Sequence, residues 1–97
     1  MIRVTVYYQN NSPVGLKVVG HAGSGPYGHD LVCAAVSSII TGGFNAFRDE
    51  DIIKCSLNEG EAELEIKQND NSVVILETLI TQLRTIEEAY PKNLKIK

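Results

Sequence analysis

Ile2, Val4 and Val6 alternate with Arg3, Thr5 and Tyr7, and the same alternation returns in Val14, Leu16 and Val18. A period of two puts one set of side chains on a single face of a strand. The segment between them, Gln9–Pro13, has the composition of a turn. The two runs therefore predict a hairpin whose apolar face another layer must cover. Pro13 suits the turn or the first strand residue, because it cannot donate to an interior ladder. Gly20 ends the second run. The pattern recurs at Ile52–Leu57 and Ala62–Lys67, flanking Asn58–Gly60. There Leu64 and Ile66 alternate with Glu63, Glu65 and Lys67, which marks one solvated face. Leu94 and Ile96 within Asn93–Lys97 predict a short closing strand.

Two stretches carry a helical period instead. The first opens at Asp30, a favoured N-cap, and runs to about Phe47. It is apolar over most of its circumference (Leu31, Val32, Ala34, Ala35, Val36, Ile39, Ile40, Phe44, Phe47), so it is expected to be covered on several sides. Gly42 and Gly43 each lower helix propensity by ~1 kcal/mol relative to alanine. They leave room for a strand or a second subunit to approach. After the polar link Arg48–Asp51, the second hairpin and the turn Gln68–Asn71, an amphipathic helix is expected over Ser72–Tyr90. Val73, Leu76, Ile80, Leu83 and Ile86 form its stripe, and Pro91 blocks its continuation. The order β-β-α-β-β-α-β predicts an α+β fold, a mainly antiparallel sheet of about five strands packed with two helices. A single domain over residues 1–97 is expected. The order of strands within the sheet does not follow from the pattern.

Composition narrows the function classes. A hydrophobic fraction of 43% with a net charge of −3 is that of a folded chain rather than a disordered one. The acidic balance disfavours direct nucleic-acid binding, which calls for a clustered basic face, and is compatible with a basic partner. No run approaches the ~20 apolar residues of a membrane span. The alternating N-terminus lacks the apolar core of a signal peptide. The expected compartment is the cytoplasm, with Cys33 and Cys55 as reduced thiols.

The chemistry gathers in GHAGSGPYGHDLVCAAVS, Gly20–Ser37, where the second strand passes through a loop into the first helix. Gly23, Gly25 and Gly28 permit unusual backbone angles. Nothing apolar and periodic anchors Ala22–Gly28, so this loop is expected to be mobile alone and to order over a ligand. His21 stands on the strand side and Cys33 just inside the helix. With Asp30 as cap, Cys33 is the third helical residue, where the positive helix end favours a thiolate. The N–H groups around Leu31–Cys33 can hold an oxyanion there. A cysteine nucleophile is commonly activated by an adjacent base, and His21 is the natural one. Cys33 also fits an inert core position, and His21 alone fits a surface histidine at a strand end. His29 competes as a base, but is expected just before the cap, facing solvent. Asp30 either caps the helix or orients His21. Ser37, one turn beyond Cys33, either lines the site or bonds back to the helix. Cys55 alternates with Ile53 and Leu57 and reads as core. A metal site from His21, His29 and Cys33 lacks the paired spacings of structural zinc sites, and no cofactor is expected.

This segment resembles the signature of the ribosomal-processing cysteine protease family. That pattern has a Gly-His pair, a glycine-bearing loop, Gly-x-Asp-x-x-Cys-Ala and a serine four residues after the cysteine. Here these are Gly20 and His21, the run Gly28-His29-Asp30-Leu31-Val32-Cys33-Ala34, and Ser37. The N-terminal hairpin and the ending Ile86–Tyr90 match as well, so the resemblance spans essentially the whole chain. It implies a cysteine endopeptidase of Firmicutes and their relatives, usually dimeric. Such an enzyme removes a short N-terminal extension from the precursor of bacterial large-subunit ribosomal protein 27, cutting after aromatic residues. It implies Cys33 as nucleophile and His21 as general base. Asp30 and Ser37 are then supporting residues, and Gly20, Ala22, Gly23, Gly25 and Gly28 belong to a substrate loop. The alternative is a non-catalytic ribosome-associated module that holds an extended peptide in the same groove.

Overall fold

The computed structural model of the chain describes residues 1–21, 23, 25 and 30–97. The elements are β1 (Ile2–Gln9), β2 (Ser12–Val19), α1 (Leu31–Phe44), a 3-10 turn (Asp49–Asp51), β3 (Ile52–Asn58), β4 (Glu61–Ile66), α2 (Asp70–Ala89) and β5 (Leu94–Ile96). The sheet order is β3-β4-β2-β1-β5. Every pairing is antiparallel except that of β5 with β1. The expected α+β class, two hairpins and two helices are all present.

Asn10 and Asn11 both hold positive φ, 54° and 64°, and Gln9 pairs with Ser12. This is a two-residue turn of the kind that suits the twist of a hairpin, and asparagine tolerates its angles. The turn is thus tighter than the expected Gln9–Pro13. Pro13 becomes the second residue of β2, beside a register shift that pairs Tyr7 with Gly15 and Tyr8 with Pro13.

One face of the sheet buries Ile2, Val4 and Val6 from β1, Leu16 and Val18 from β2, Ala62, Leu64 and Ile66 from β4, and Leu94 from β5. Helix α2 lies over it with Leu76, Leu79, Ile80 and Leu83. Its N-terminus is fixed by a reciprocal box: Asn69 Oδ1 accepts from the Ser72 amide at 2.9 Å, and Ser72 Oγ accepts from the Asn69 amide at 3.0 Å. Asn69 Nδ2 also donates to Oδ1 of the buried Asp51 at 2.9 Å, which ties the start of β3 to that of α2.

Helix α1 departs from expectation. It buries one stripe, Val32, Val36, Ile40 and Phe44, while Leu31 is 76% exposed and Ala34 is exposed too. Ala34 and Ala35 are small and need little cover, and Leu31 in the first turn points to solvent. The helix stops at Phe44, but Phe47 still turns into the core. Gly43 admits neither a strand nor a subunit: a Cβ there would collide with Leu79, so it is the close point between α1 and α2.

Cys55 is a second correction. Strand β3 is an edge, and only Ile52 of it packs against the core. Cys55, opposite Leu64, is exposed, as are Ile53 and Leu57. A register shift between Ile52 and Lys54 puts Ile52, rather than Ile53, on the face of Cys55 and Leu57, and the helices do not reach this far across the sheet.

Candidate active site

Strand β2 ends at Gly20, whose φ of +103° is a conformation that side-chain-bearing residues resist. A Cβ there would collide with the Met1 carbonyl oxygen. Its amide donates to the Gly60 carbonyl at 2.9 Å, so the chain is fastened to the β3–β4 turn one residue before His21. On the helix side, Asp30 adopts extended N-cap angles, and its Oδ1 accepts from the Cys33 amide at 2.9 Å. That makes Asp30 a cap and Cys33 the third helical residue. The Cys33 amide is therefore already engaged and does not remain as a donor in the first turn.

His21 and Cys33 line one groove of about 780 Å³. Its floor is apolar sheet, with Val18, Leu57 and Ala62, and α1 forms one wall. Half-buried Cys33 stands at the head of that wall, followed by Ala34, exposed Ser37 and Thr41. These are small side chains, and their size keeps the groove open. Ser37 sits on the groove side, as the lining alternative required. Gly20, Gly23, Gly25 and Asp30 contribute to the lining as well. Ala22, Gly28 and His29 lie outside the described residues, as does most of Ala22–Gly28, for which mobility was expected.

The opposite wall was not foreseen. It is the β3–β4 turn, with Asn58, Glu59 and Gly60 leading into Glu61. In sequence these residues read only as a hairpin turn, and no local signal ties them to His21. Glu59 gives this rim an acidic residue, whereas the Glu61 side chain alternates with buried Ala62 and meets Lys17, 3.8 Å away, on the opposite face of the sheet. Among the described residues no group of three or more His, Cys, Asp or Glu is gathered as metal ligands would be. Among them, too, no helix is long and apolar enough to cross a membrane.

A thiol at a helix N-terminus that shares an open, apolar-floored groove with an imidazole can attack an extended polymer lying in that groove. Comparison with known proteins points the same way. The family described as cysteine protease Prp matches residues 1–95. The ribosomal processing cysteine protease Prp of Staphylococcus aureus (strain NCTC 8325) is 36% identical over 83 residues, covering 79% of this chain and 78% of that protein. Its namesake in Bacillus subtilis (strain 168) is 27% identical over 107 residues, covering 99% and 96%. The crystal structure of the S. aureus protease in complex with a covalently linked product peptide superposes with a TM-score of 0.91 at 30% identity, covering 100% of this chain and 98% of that one. The same protease with a substrate peptide gives 0.83 at 28% identity and the same coverage.

Proposed function

This chain belongs to the cysteine protease Prp family, a family of hydrolases, and on that premise we propose that Cys33 is its nucleophile and His21 its general base. The observation that carries the reading is that the two side chains line one groove from two separate elements. Cys33 Sγ attacks the scissile carbonyl while His21 takes the thiol proton. The tetrahedral oxyanion lies near the positive end of α1. His21 then gives its proton to the leaving amine, and an acyl-enzyme remains. Water, deprotonated by His21, attacks the thioester carbonyl and frees the second peptide and the thiol. Asp30 serves as the cap that sets the height of Cys33 in the helix, and Ser37 lines the bound peptide. No metal or cofactor takes part.

The substrate in this reading is the N-terminal extension of the large-subunit ribosomal protein 27 precursor. Two features support it: the S. aureus relative carries a substrate peptide, and the net charge of −3, with Glu59 on the groove rim, suits a basic ribosomal protein. Residues 1–97 act as one protease domain in the cytoplasm, as a homodimer, without direct nucleic-acid contact. Incubation with the extended precursor, followed by mass spectrometry, tests the proposal. The expected result is one cut that releases the extension, lost in Cys33→Ala and retained in Cys55→Ala. An uncut precursor that nonetheless binds would identify a peptide-binding module instead. Turnover by Cys33→Ala would remove Cys33 from its role.

A further inference from the structure

Gly60 is the left-handed residue of the two-residue β3–β4 turn, with φ +75°. Its missing side chain faces the imidazole of His21. A Cβ on Gly60 would stand 3.1 Å from Nε2, 3.6 Å from Cε1 and 3.9 Å from Cδ2 of that ring. The contact to Nε2 is tighter than packed atoms ordinarily allow, and the other two are van der Waals contacts. The ring therefore rests its Nε2 edge on the bare Cα of Gly60. The same glycine's carbonyl accepts the Gly20 amide at 2.9 Å. One residue thus holds both the backbone before His21 and the edge of its side chain.

We propose that Gly60 is a positioning residue for His21. The β3–β4 turn is a seat for the imidazole, and the absence of a side chain at position 60 fixes how far the ring can approach the turn and hence where it stands relative to Cys33. This rests on the reading of His21 as the general base. Gly60 supplies no proton-transferring group of its own. It acts through the orientation of the ring, and misplacement of a catalytic group by about 1 Å can cost ~10²-fold in rate. A glycine in a hairpin turn is ordinarily explained by its φ alone. The imidazole packed on it supplies a second reason.

The two reasons separate in a double-mutant cycle. Gly60→Ala adds a Cβ and strains the turn, whereas Gly60→Asn adds the same Cβ with a residue that tolerates positive φ. Each is made alone and in a His21→Ala background, and cleavage of the extended precursor is followed at saturating and sub-saturating substrate. Thermal melts report the fold, and Gly60→Asn carries the test should Gly60→Ala not fold. The expected result is a fall in kcat of roughly 10–100-fold for both single variants. KM should change by less than about twofold, the signature of a lost transition-state interaction. Neither substitution should cost anything further once His21 is alanine. Full activity in Gly60→Asn, or the same loss with and without His21, overturns the seat and leaves a turn glycine. Wild-type turnover in His21→Ala overturns the general-base reading itself, and the seat with it.

Discussion

Cys33 and Cys55 make a controlled comparison within one molecule. Cys55 is the more exposed thiol, and Cys33 is half-buried. Access alone therefore favours Cys55, while a helix N-terminus and a histidine lining the same groove favour Cys33. Limited alkylation with iodoacetamide followed by peptide mapping should label Cys33 first and abolish cleavage in proportion. Faster labelling of Cys55 would mean that exposure governs and that Cys33 is not activated. Replacing Cys55 with alanine should shift stability by no more than about 0.5 kcal/mol, because it removes an exposed side chain outside the core. His21→Ala should slow cleavage by ~10²–10⁴-fold, the range typical of a general base. A loss well below that range would point to another group.

Helix α2 depends on its first turn. Asn69 caps the Ser72 amide and also holds buried Asp51, whose other carboxylate oxygen, Oδ2, makes no hydrogen bond among the described residues. Asn69→Ala should cost about 1–2 kcal/mol in a urea titration, since it removes a cap and strips a buried carboxylate of a donor. An unchanged midpoint would show that the tie between β3 and α2 contributes nothing. On the open face of the sheet, Lys54 of β3 is paired with Glu63 of β4. The hydrogen bond from Lys54, aided by its charge, holds the Glu63 carboxyl below its ordinary 4.5. The hydrogen bond and charge of Glu63 raise Lys54 above 10.5. Folding lowers the acid's pKa, so its contribution is present above 4.5 and fades as pH falls through the folded value. Folding raises the lysine's pKa, so its contribution is present below 10.5 and fades as pH rises through the folded value. Both groups are solvated, which keeps the effect small and salt-sensitive. The stability difference between wild type and Glu63→Gln should be level at neutral pH and shrink in acid. A difference that widens in acid would reverse the assigned sign.

Across the whole molecule, charge is arranged for association. The chain carries −3 overall, and Glu59 lies on the groove rim. If the substrate is a basic ribosomal precursor, kcat/KM should fall as salt is raised from 50 to about 500 mM, with kcat nearly constant, because screening weakens encounter rather than chemistry. A salt-independent kcat/KM would leave the apolar floor of Val18, Leu57 and Ala62 as the source of binding. The proposed homodimer is tested at the same scale by sedimentation, which should give twice the mass of one chain.

The sequence alone determined the parts whose physics is local. Period-two runs become hairpins because neighbouring side chains must face opposite sides. Asp30 caps α1 because its carboxylate reaches an amide three residues on. The motif from Gly20 to Ser37 singles out His21 and Cys33 as candidates because both lie within one strand–loop–helix passage. Tertiary structure decided whatever depends on which elements meet. Cys55 alternates like a core residue, yet the strand order makes β3 an edge that the helices do not cover. Helix α1 counts as apolar all round, yet its small residues face a groove rather than a core. The wall at Gly60 lies far along the chain from His21, and only the pairing of β4 with β2, which sets Glu61 opposite Val19, brings that turn beneath the imidazole. Contacts of that range depend on the register of a whole sheet, and no short window of residues encodes them.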